Sequence, residues 1–135
     1  MAGYSATPLI KKLGFKSPLK LLAIDVPKEY LGWIGELPDG VSIVRRWSLT
    51  VQAAHIFSQR KSELKKHLVR CRKTLAQSGF VWVSWPKKAA KVETDITEDV
   101  IRAIALPLGF VDIKVCAVSD VWSGLKLVIR KSERT

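Results

Sequence analysis

The amino-acid sequence predicts an α/β fold, a three-layer sandwich in which helices cover both faces of a mostly parallel sheet. Short apolar runs of strand length alternate along the chain with segments of helical periodicity. Strands that alternate with helices form parallel sheets through right-handed crossovers. Near the end of the chain, two segments alternate apolar and polar residues, which predicts an antiparallel hairpin at the edge of the sheet.

The apolar run at residues 80–84 is the strand around which we expect the fold to be organised. It shows no clean alternation, helical segments lie on both sides of it, and a proline and two lysines follow it. Strands buried on both faces have this continuous apolar character, so the run predicts a central strand that ends in a basic loop.

The other elements follow from apolar spacing and from helix start and stop signals. They are a helix at 8–13, a strand at 19–24, a helix at 27–37, strands at 41–44 and 51–57, a helix at 58–77, a helix at 96–106 and hairpin strands at 111–117 and 125–130. Asp95 is the predicted N-cap of the 96–106 helix, because Glu98 three residues later completes a capping-box pattern. The alternation puts Ile113 and Val115 on the apolar side of their strand.

Length and composition indicate one domain spanning residues 1–135, with enough hydrophobic residues, 47%, for a packed core. The sequence shows no signal segment and no stretch of about 20 apolar residues, so we expect a cytoplasmic protein with no membrane partner. Cys71, Cys116, His55 and His67 show no metal-ligand spacing. We therefore assign no metal and no cofactor, and we expect both histidines to be structural.

Positive charge is concentrated in the middle third of the chain. Residues 45–91 carry twelve Lys or Arg residues against the single Glu63, whereas the net charge of the whole chain is +11. The basic patch consists of Arg45, Arg46, Lys61, Lys65, Lys66, Arg70 and Lys73. Such a patch attracts phosphate polymers or acidic partners, although a solvated helix face that only aids solubility has the same composition.

Seven short motifs occur in the order MAGYS at 1–5, TPL at 7–9, KLG at 12–14, WPKK at 85–88, TDIT at 94–97, KVCA at 114–117 and WSGL at 122–125. With these motifs the chain resembles a family of small bacterial proteins of unknown function. Its ending, a helix, then residues 108–114 and a hairpin strand, also resembles the last third of a class I S-adenosylmethionine-dependent methyltransferase. The resemblances imply a Rossmann-like, methyltransferase-like fold and supply no established activity.

The chain departs from the methyltransferase pattern where the cofactor would bind. In that family a glycine-rich loop follows the first strand, because only glycine lets the backbone approach the cofactor closely, and an acidic residue after the second strand binds the ribose hydroxyls. Here residues 25–29 contain no glycine, Pro27 lacks an N–H donor, and Arg45 and Arg46 follow the second strand. We expect neither S-adenosylmethionine nor a nicotinamide dinucleotide to bind in this mode.

A candidate ligand site lies at the carboxyl ends of the parallel strands, which form the usual crevice of an α/β sheet. The residues expected there are Trp85, Lys87, Lys88, Lys91, Asp25, Trp122 and Ser123. The lysines would bind a phosphate or carboxylate, with Trp85 as an apolar or stacking wall and Trp122 in the hairpin connection. In the alternative interpretations, which involve no ligand, the lysines lie in an exposed turn and Trp122 packs over the end of the sheet.

Three functional hypotheses follow. The first is a non-catalytic Rossmann-like module that binds an anionic small molecule or a protein partner. The second is a small enzyme that acts on an anionic substrate through Lys87, Lys88, Asp25 and Asp95. The third is an accessory protein with weak, sequence-independent affinity for nucleic acid, which would decrease steeply with salt.

Overall fold

The computed structural model describes residues 7–135, and the MAGYS motif at residues 1–5 lies outside them. The helices are α1 (Leu9–Lys12), α2 (Tyr30–Ile34), α3 (Lys61–Thr74) and α4 (Glu98–Ala105), with 3₁₀ turns at Lys88–Ala90, Leu106–Leu108 and Lys131–Glu133. The strands are β1 (Leu19–Ile24), β2 (Val41–Val44), β3 (Ala53–Phe57), β4 (Phe80–Pro86), β5 (Phe110–Ala117) and β6 (Trp122–Ile129). Within this part of the chain, every helix is too short or too polar to span a lipid bilayer.

The strands form one sheet in the order β2-β1-β3-β4-β6-β5. β1 is parallel to β2 and β3, β3 is parallel to β4, and β6 is antiparallel to both β4 and β5. This confirms the predicted mostly parallel sheet with a terminal hairpin, and β4 lies in its interior. From β1 the chain goes outward to β2 and returns to the other side of β1 with β3. The topological switch point therefore lies between the carboxyl ends of β1 and β3.

Helices cover both faces of the sheet, which confirms the three-layer arrangement. On one face, the α3/α4 side, Leu64 and Leu68 of α3 pack with Ile101 of α4 against the strands. On the other face, the α1/α2 side, Tyr30 of α2 packs against the strands together with Trp82 of β4. The indole Nε1 of Trp82 donates a hydrogen bond to the Leu13 carbonyl oxygen at 2.8 Å, which ties β4 to the chain segment after α1.

The helix predicted for residues 27–37 is shorter than expected. It ends at Ile34, because Gly35 adopts a φ of 79° that an ordinary side chain rarely tolerates, and Leu37 therefore lies beyond the helix. The helix predicted for residues 58–77 likewise spans only Lys61–Thr74, since Leu75 is already in an extended conformation.

The predicted role of Asp95 as the N-cap of α4 is wrong. Thr97 is the cap, and its hydroxyl accepts a hydrogen bond from the Val100 N–H at 3.2 Å. The Asp95 carboxylate instead accepts from the N–H of Lys61 at 2.7 Å, at the start of α3. The backbone of Asp95 is held there by its own N–H, which donates to the Gln59 carbonyl oxygen at 3.2 Å.

The hairpin connection is shorter than expected and consists of residues 118–121. Trp122 and Ser123 therefore belong to β6, where they pair with Pro86 and Trp85 of β4, and do not lie at a loop tip. The physical reason is that β4 extends through Pro86 and offers two more partners to β6.

Strand β5 forms one edge of the sheet, and its apolar side chains are not covered as the alternation predicted. Ile113 is 57% exposed and Val115 is 51% exposed. The register against β6 shifts between Asp112 and Lys114, which indicates a β-bulge at Ile113. Alternation alone does not show which strand lies at an edge.

The connection from β2 to β3, residues 45–52, contains no helix. It runs from the carboxyl end of β2 to the amino end of β3, which pairs with the other side of β1. The α3/α4 side of β1 and β2 consequently has no helix of its own, and Lys20 and Val44 line an open cleft there.

Candidate functional site

The carboxyl edge of the sheet carries the residues expected there, but the sheet divides them between its two faces. Trp85 is 7% exposed and packs on the α3/α4 side, whereas Trp122 packs on the α1/α2 side against Phe57, with ring centroids 5.0 Å apart. Ser123 pairs with Trp85 across the β4–β6 ladder. The two tryptophans therefore do not form a common wall.

The charged members of the predicted site lie at separate points of this edge. Asp25 follows β1 in a left-handed conformation with a φ of 55°, and its carboxylate is 3.4 Å from the Nε2 of His67 on α3. The Lys87 N–H donates to the Val121 carbonyl oxygen at 2.7 Å. Lys88 is exposed in a 3₁₀ turn and Lys91, with a φ of 57°, ends that turn. Two clefts, one beyond β3 and β4 and the other beside β1 and β2, are lined by other residues than these three lysines.

Aromatic side chains fill the switch point of the sheet. Phe57, the last residue of β3, is only 2% exposed. Tyr30 and Trp33 of α2 lie 5.5 and 6.4 Å from its ring centroid, and Trp122 contacts it edge-on from β6. An aromatic cluster of this chain thus lies at the switch point, the place where α/β sheets usually hold their ligands.

A buried polar chain lies beneath this aromatic cluster. The Tyr30 hydroxyl is 2.9 Å from Nδ1 of His55, and the His55 Nε2 is 2.8 Å from the Ser84 hydroxyl. Burial lowers the pKa of His55 to about 3 and raises the pKa of Tyr30. Both groups are therefore neutral at pH 7. All three side chains are fully buried, so the arrangement links α2, β3 and β4 rather than presenting a nucleophile.

A first cleft, of about 210 Å³, lies beyond the carboxyl ends of β3 and β4. It is lined by Gln59, Arg60, Glu93, Thr94 and Asp95. Its walls are held by hydrogen bonds, because the Thr94 hydroxyl donates to the Gln59 carbonyl oxygen at 2.7 Å and Asp95 caps α3. With one cation and two carboxylates, this cleft has no excess of positive charge.

A second cleft, of about 470 Å³, lies on the open side of β1 and β2. The residues that line it are Lys20, Val44, Arg45, Arg46, Trp47 and Ser48. We call it the basic cleft, because every charged residue in its lining is a cation. Lys20 also shapes the adjoining turn, since its Nζ donates to the Thr50 hydroxyl at 2.8 Å.

Helix α3 extends this positive surface. The guanidinium carbon of Arg70 lies 4.7 Å from the ring centroid of Trp47, a cation–π contact that joins α3 to the basic cleft. Lys66 and Lys73 share the helix face of Arg70 at spacings of four and three residues. Lys65, five residues from Arg70, points about 140° away around the helix, and Lys61 lies on that same far flank.

Within residues 7–135, the cations of the basic cleft and of the Arg70 face form no ion pair with a carboxylate. The ion pairs of this part of the chain involve His67, Arg72 and Arg102 instead. The nearest acidic residue on the same face of α3 is Glu63, two helical turns or about 10 Å from Arg70. Positive charge at the cleft is thus uncompensated.

Sequence reasoning found the arginines of this cleft but missed Trp47 and Lys20. An Arg-Arg-Trp triplet directly after a strand was the available signal for Trp47. No local pattern identifies Lys20, because its place in the cleft depends on the absence of a helix over β1 and β2.

Comparison with known proteins yields structural matches only, since no protein-family model and no curated protein matches the chain. A SAM-dependent methyltransferase from Aquifex aeolicus superposes with a TM-score of 0.60 and 15% identity, over 90% of this chain and 88% of that chain. Magnesium protoporphyrin IX methyltransferase from Synechocystis PCC 6803 gives 0.55 and 12%, over 90% and 74%. A protein of the NADB-Rossmann superfamily from Streptococcus agalactiae gives 0.58 and 9%, over 95% and 70%.

The fold is methyltransferase-like. At identities this low, the likeness establishes the architecture and not an activity, because unrelated functions share such folds.

The residues of this methyltransferase-like domain do not fit S-adenosylmethionine in the glycine-loop mode. The loop after β1 begins with Asp25, whose carboxylate is directed to His67, and continues with Pro27, which has no N–H. Phe57 and its aromatic neighbours cluster at the end of β3, and two exposed arginines follow β2. The described residues after β1, β2 and β3 thus do not provide the glycine-rich loop and the acidic residue of this binding mode.

Proposed function

We propose that the protein is a non-catalytic binding module that holds an anionic partner in the basic cleft. The observation that carries this proposal is a cleft of about 470 Å³ whose charged lining residues are all cations. These cations have no carboxylate partner within residues 7–135, so an incoming anion would supply the missing charge.

The number and spacing of the cations favour an anionic polymer over a single small anion. Arg45 and Arg46 lie at the cleft and Arg70 beside it, while Lys66 and Lys73 continue the surface along α3. A polyanion that contacts several of these side chains at once releases its condensed counterions, which provides the driving force for association.

The non-catalytic part of the proposal rests on what the ionisable groups of this domain contact. His55 is neutral, buried and hydrogen-bonded on both ring nitrogens. Asp25 contacts His67, and Asp95 caps α3. These residues already have structural partners, and the basic cleft itself contributes no carboxylate or histidine to act as a general base.

The alternative function is an enzyme that acts on an anionic substrate at the carboxyl edge of the sheet. The cleft of about 210 Å³ beyond β3 and β4 favours it, because ligands of α/β sheets bind at this edge. Asp95 lines this cleft, whereas Lys87 and Lys88 lie outside its lining and would have to reach the substrate from the neighbouring 3₁₀ turn.

The test measures fluorescence anisotropy of a labelled heparin oligosaccharide at about 50 and 300 mM salt. We expect binding at low salt that decreases at least about tenfold at high salt. The double variant Arg45→Ala/Arg46→Ala should weaken binding about tenfold or more at low salt.

Two matched double variants serve as controls. Lys61→Ala/Lys65→Ala removes the same charge from the far flank of α3, and Lys87→Ala/Lys88→Ala removes it from the carboxyl edge. Each should change the affinity less than about threefold. Equal losses in all three variants would show a general charge effect and reject the basic cleft. A loss confined to Lys87 and Lys88 would favour the carboxyl-edge site.

A further inference from the structure

We infer that the partner of the basic cleft is single-stranded nucleic acid, with unpaired bases held against Trp47 and Leu49 and phosphates held by Arg45 and Arg46. The inference rests on the proposed function and adds to it the chemical class of the partner. It is supported by the apolar surface of Trp47 and Leu49, which follow Arg45 and Arg46 in the same connection.

Leu49 is the first part of this apolar surface. It is 97% exposed, at the tip of the turn between β2 and β3. Hydrogen bonds fix the conformation of this turn. The Ser48 hydroxyl lies 3.0 Å from the Thr50 hydroxyl and also accepts a hydrogen bond from the Thr50 N–H at 3.3 Å. The Lys20 ammonium anchors Thr50 to β1. Isolated exposed leucines are common, but this one directly follows the cleft-lining residues 44–48 and lies in a turn that is held by hydrogen bonds.

Trp47 is the second part. It is half-buried, it packs against the core on the α3/α4 side, and its ring lies under the Arg70 guanidinium. Nucleic-acid bases stack on aromatic rings and on guanidinium planes, and such stacking tolerates every base. A tryptophan and an arginine fixed against each other provide both kinds of surface in one place.

The shape of the site favours a single strand over a duplex. In a duplex the faces of the bases are covered by neighbouring bases, so no base face is free to pack against Trp47 or Leu49. The cleft volume of about 470 Å³ falls within the range of pockets that enclose a small ligand, which suits one or two unpaired nucleotides. Phosphates on either side would then reach Arg45, Arg46 and Lys66.

An anionic membrane surface is the competing partner, since it also combines negative charge with an apolar phase. It would use Leu49, but the half-buried Trp47, which carries the Arg70 guanidinium on its ring, would not insert into the acyl region. One inserted leucine on a turn is a weak anchor compared with the long apolar helix face of membrane-surface proteins. The observations therefore favour nucleic acid.

The experiment compares labelled oligothymidylate of fifteen nucleotides with a fifteen-base-pair duplex by anisotropy, at about 100 mM salt. We expect the single strand to bind at least about fivefold more tightly. Leu49→Ser and Trp47→Phe should weaken single-strand binding about threefold or more. Leu49→Ser, which changes no residue in the lining of the basic cleft, should leave heparin binding unchanged. Leu49 is exposed, so its variant will fold. Leu31→Ser, at a leucine that is 51% exposed on α2, is the matched control and should change nothing.

The outcomes separate this inference from the proposed function. If the duplex and the single strand bind equally and Leu49→Ser has no effect, while binding still depends on Arg45 and Arg46, the inference fails and the proposed function stands. If no polyanion binds at low salt, both fail. Sedimentation with vesicles of phosphatidylcholine and phosphatidylserine, without binding of oligothymidylate, would assign the site to a membrane and overturn the inference.

Discussion

At the scale of single residues, His55 shows how a polar group is accommodated inside this sheet. Its two ring nitrogens are hydrogen-bonded to the Tyr30 and Ser84 hydroxyls, so one nitrogen donates and the other accepts. Only the neutral imidazole can do both. Protonation would add a charge in a fully buried position and remove the accepting nitrogen.

The free energy of unfolding should therefore depend on pH through His55. Burial lowers its pKa from 6.5 to about 3, so below pH 6.5 the unfolded chain binds a proton that the folded protein does not. Stability from this group is complete above pH 6.5 and is lost as the pH decreases, with a slope that approaches about 1.4 kcal/mol per pH unit. Urea unfolding at pH 7, 6 and 5 measures the slope.

The variant His55→Gln provides the control for this prediction. Glutamine both donates and accepts hydrogen bonds but does not titrate, so the variant should be less stable yet show a flatter dependence between pH 7 and 5. Identical slopes in the two proteins would mean that His55 is not the titrating group.

At the scale of secondary-structure elements, α3 receives its N-terminal partner from a distant part of the chain. The Asp95 carboxylate accepts from the first N–H of α3, where negative charge also complements the helix dipole. The same segment binds residue 59 through the hydroxyl of Thr94 and the N–H of Asp95. The start of α3 and the start of α4 are thereby fixed to each other.

Replacing Asp95 with alanine should lower the free energy of unfolding by about 1 kcal/mol, the typical value of a helix cap. Thr97→Ala should have a similar effect, through the loss of the cap on α4. Because Asp95 and Thr97 lie two residues apart on the segment that joins the two helix starts, the effects in the double variant should depart from additivity when measured by urea denaturation. If the Asp95→Ala variant is as stable as the parent, its carboxylate is not a cap.

The order and type of the elements could be predicted because each depends on local signals. Apolar spacing identified α3, the continuous apolar run identified β4, and alternation identified the hairpin. The wrong predictions for Asp95 and Ile113 share one cause, which is contact between distant residues. The sequence pattern assigned Asp95 to the nearer helix and Ile113 to the core. Neighbouring residues do not reveal that a side chain caps a distant helix, or that a strand lies at the edge of the sheet.

The candidate site likewise has features that the sequence could predict and features that it could not. Arg45, Arg46 and Arg70 were identified from charge alone, but their association depends on Trp47, which joins two elements separated in the chain. The predicted members at the carboxyl edge were placed at that edge by strand direction, yet the face that each side chain occupies depends on strand register.

At the scale of the whole molecule, the domain combines a methyltransferase-like sheet with a crossover reduced to residues 45–52. The shortened crossover leaves one side of β1 and β2 without a helix, and this uncovered side holds the basic cleft. Arg45 and Arg46 of the middle third line this uncovered side together with Lys20.

S-adenosylmethionine should not bind at the end of β1. Residues 25–29 contain no glycine to let the backbone approach the cofactor closely, Pro27 has no N–H to donate, and aromatic side chains cluster around Phe57 at the switch point. Isothermal titration calorimetry of the full chain should show no saturable heat at ligand concentrations up to about 1 mM, a range that detects weak cofactor complexes. A micromolar dissociation constant would contradict the assignment, and an active methyltransferase titrated under the same conditions is the positive control.

The bulge in β5 also affects the tendency of this protein to aggregate at high concentration. An edge strand that has one unpaired side and exposes Ile113 and Val115 is the kind of surface from which fibrils grow by adding strand after strand. The register shift at Asp112 and Lys114 interrupts the row of free backbone groups, so an approaching strand cannot extend a regular ladder along it. Together with the repulsion between molecules of charge +11, this irregularity disfavours strand-by-strand association along the exposed apolar edge.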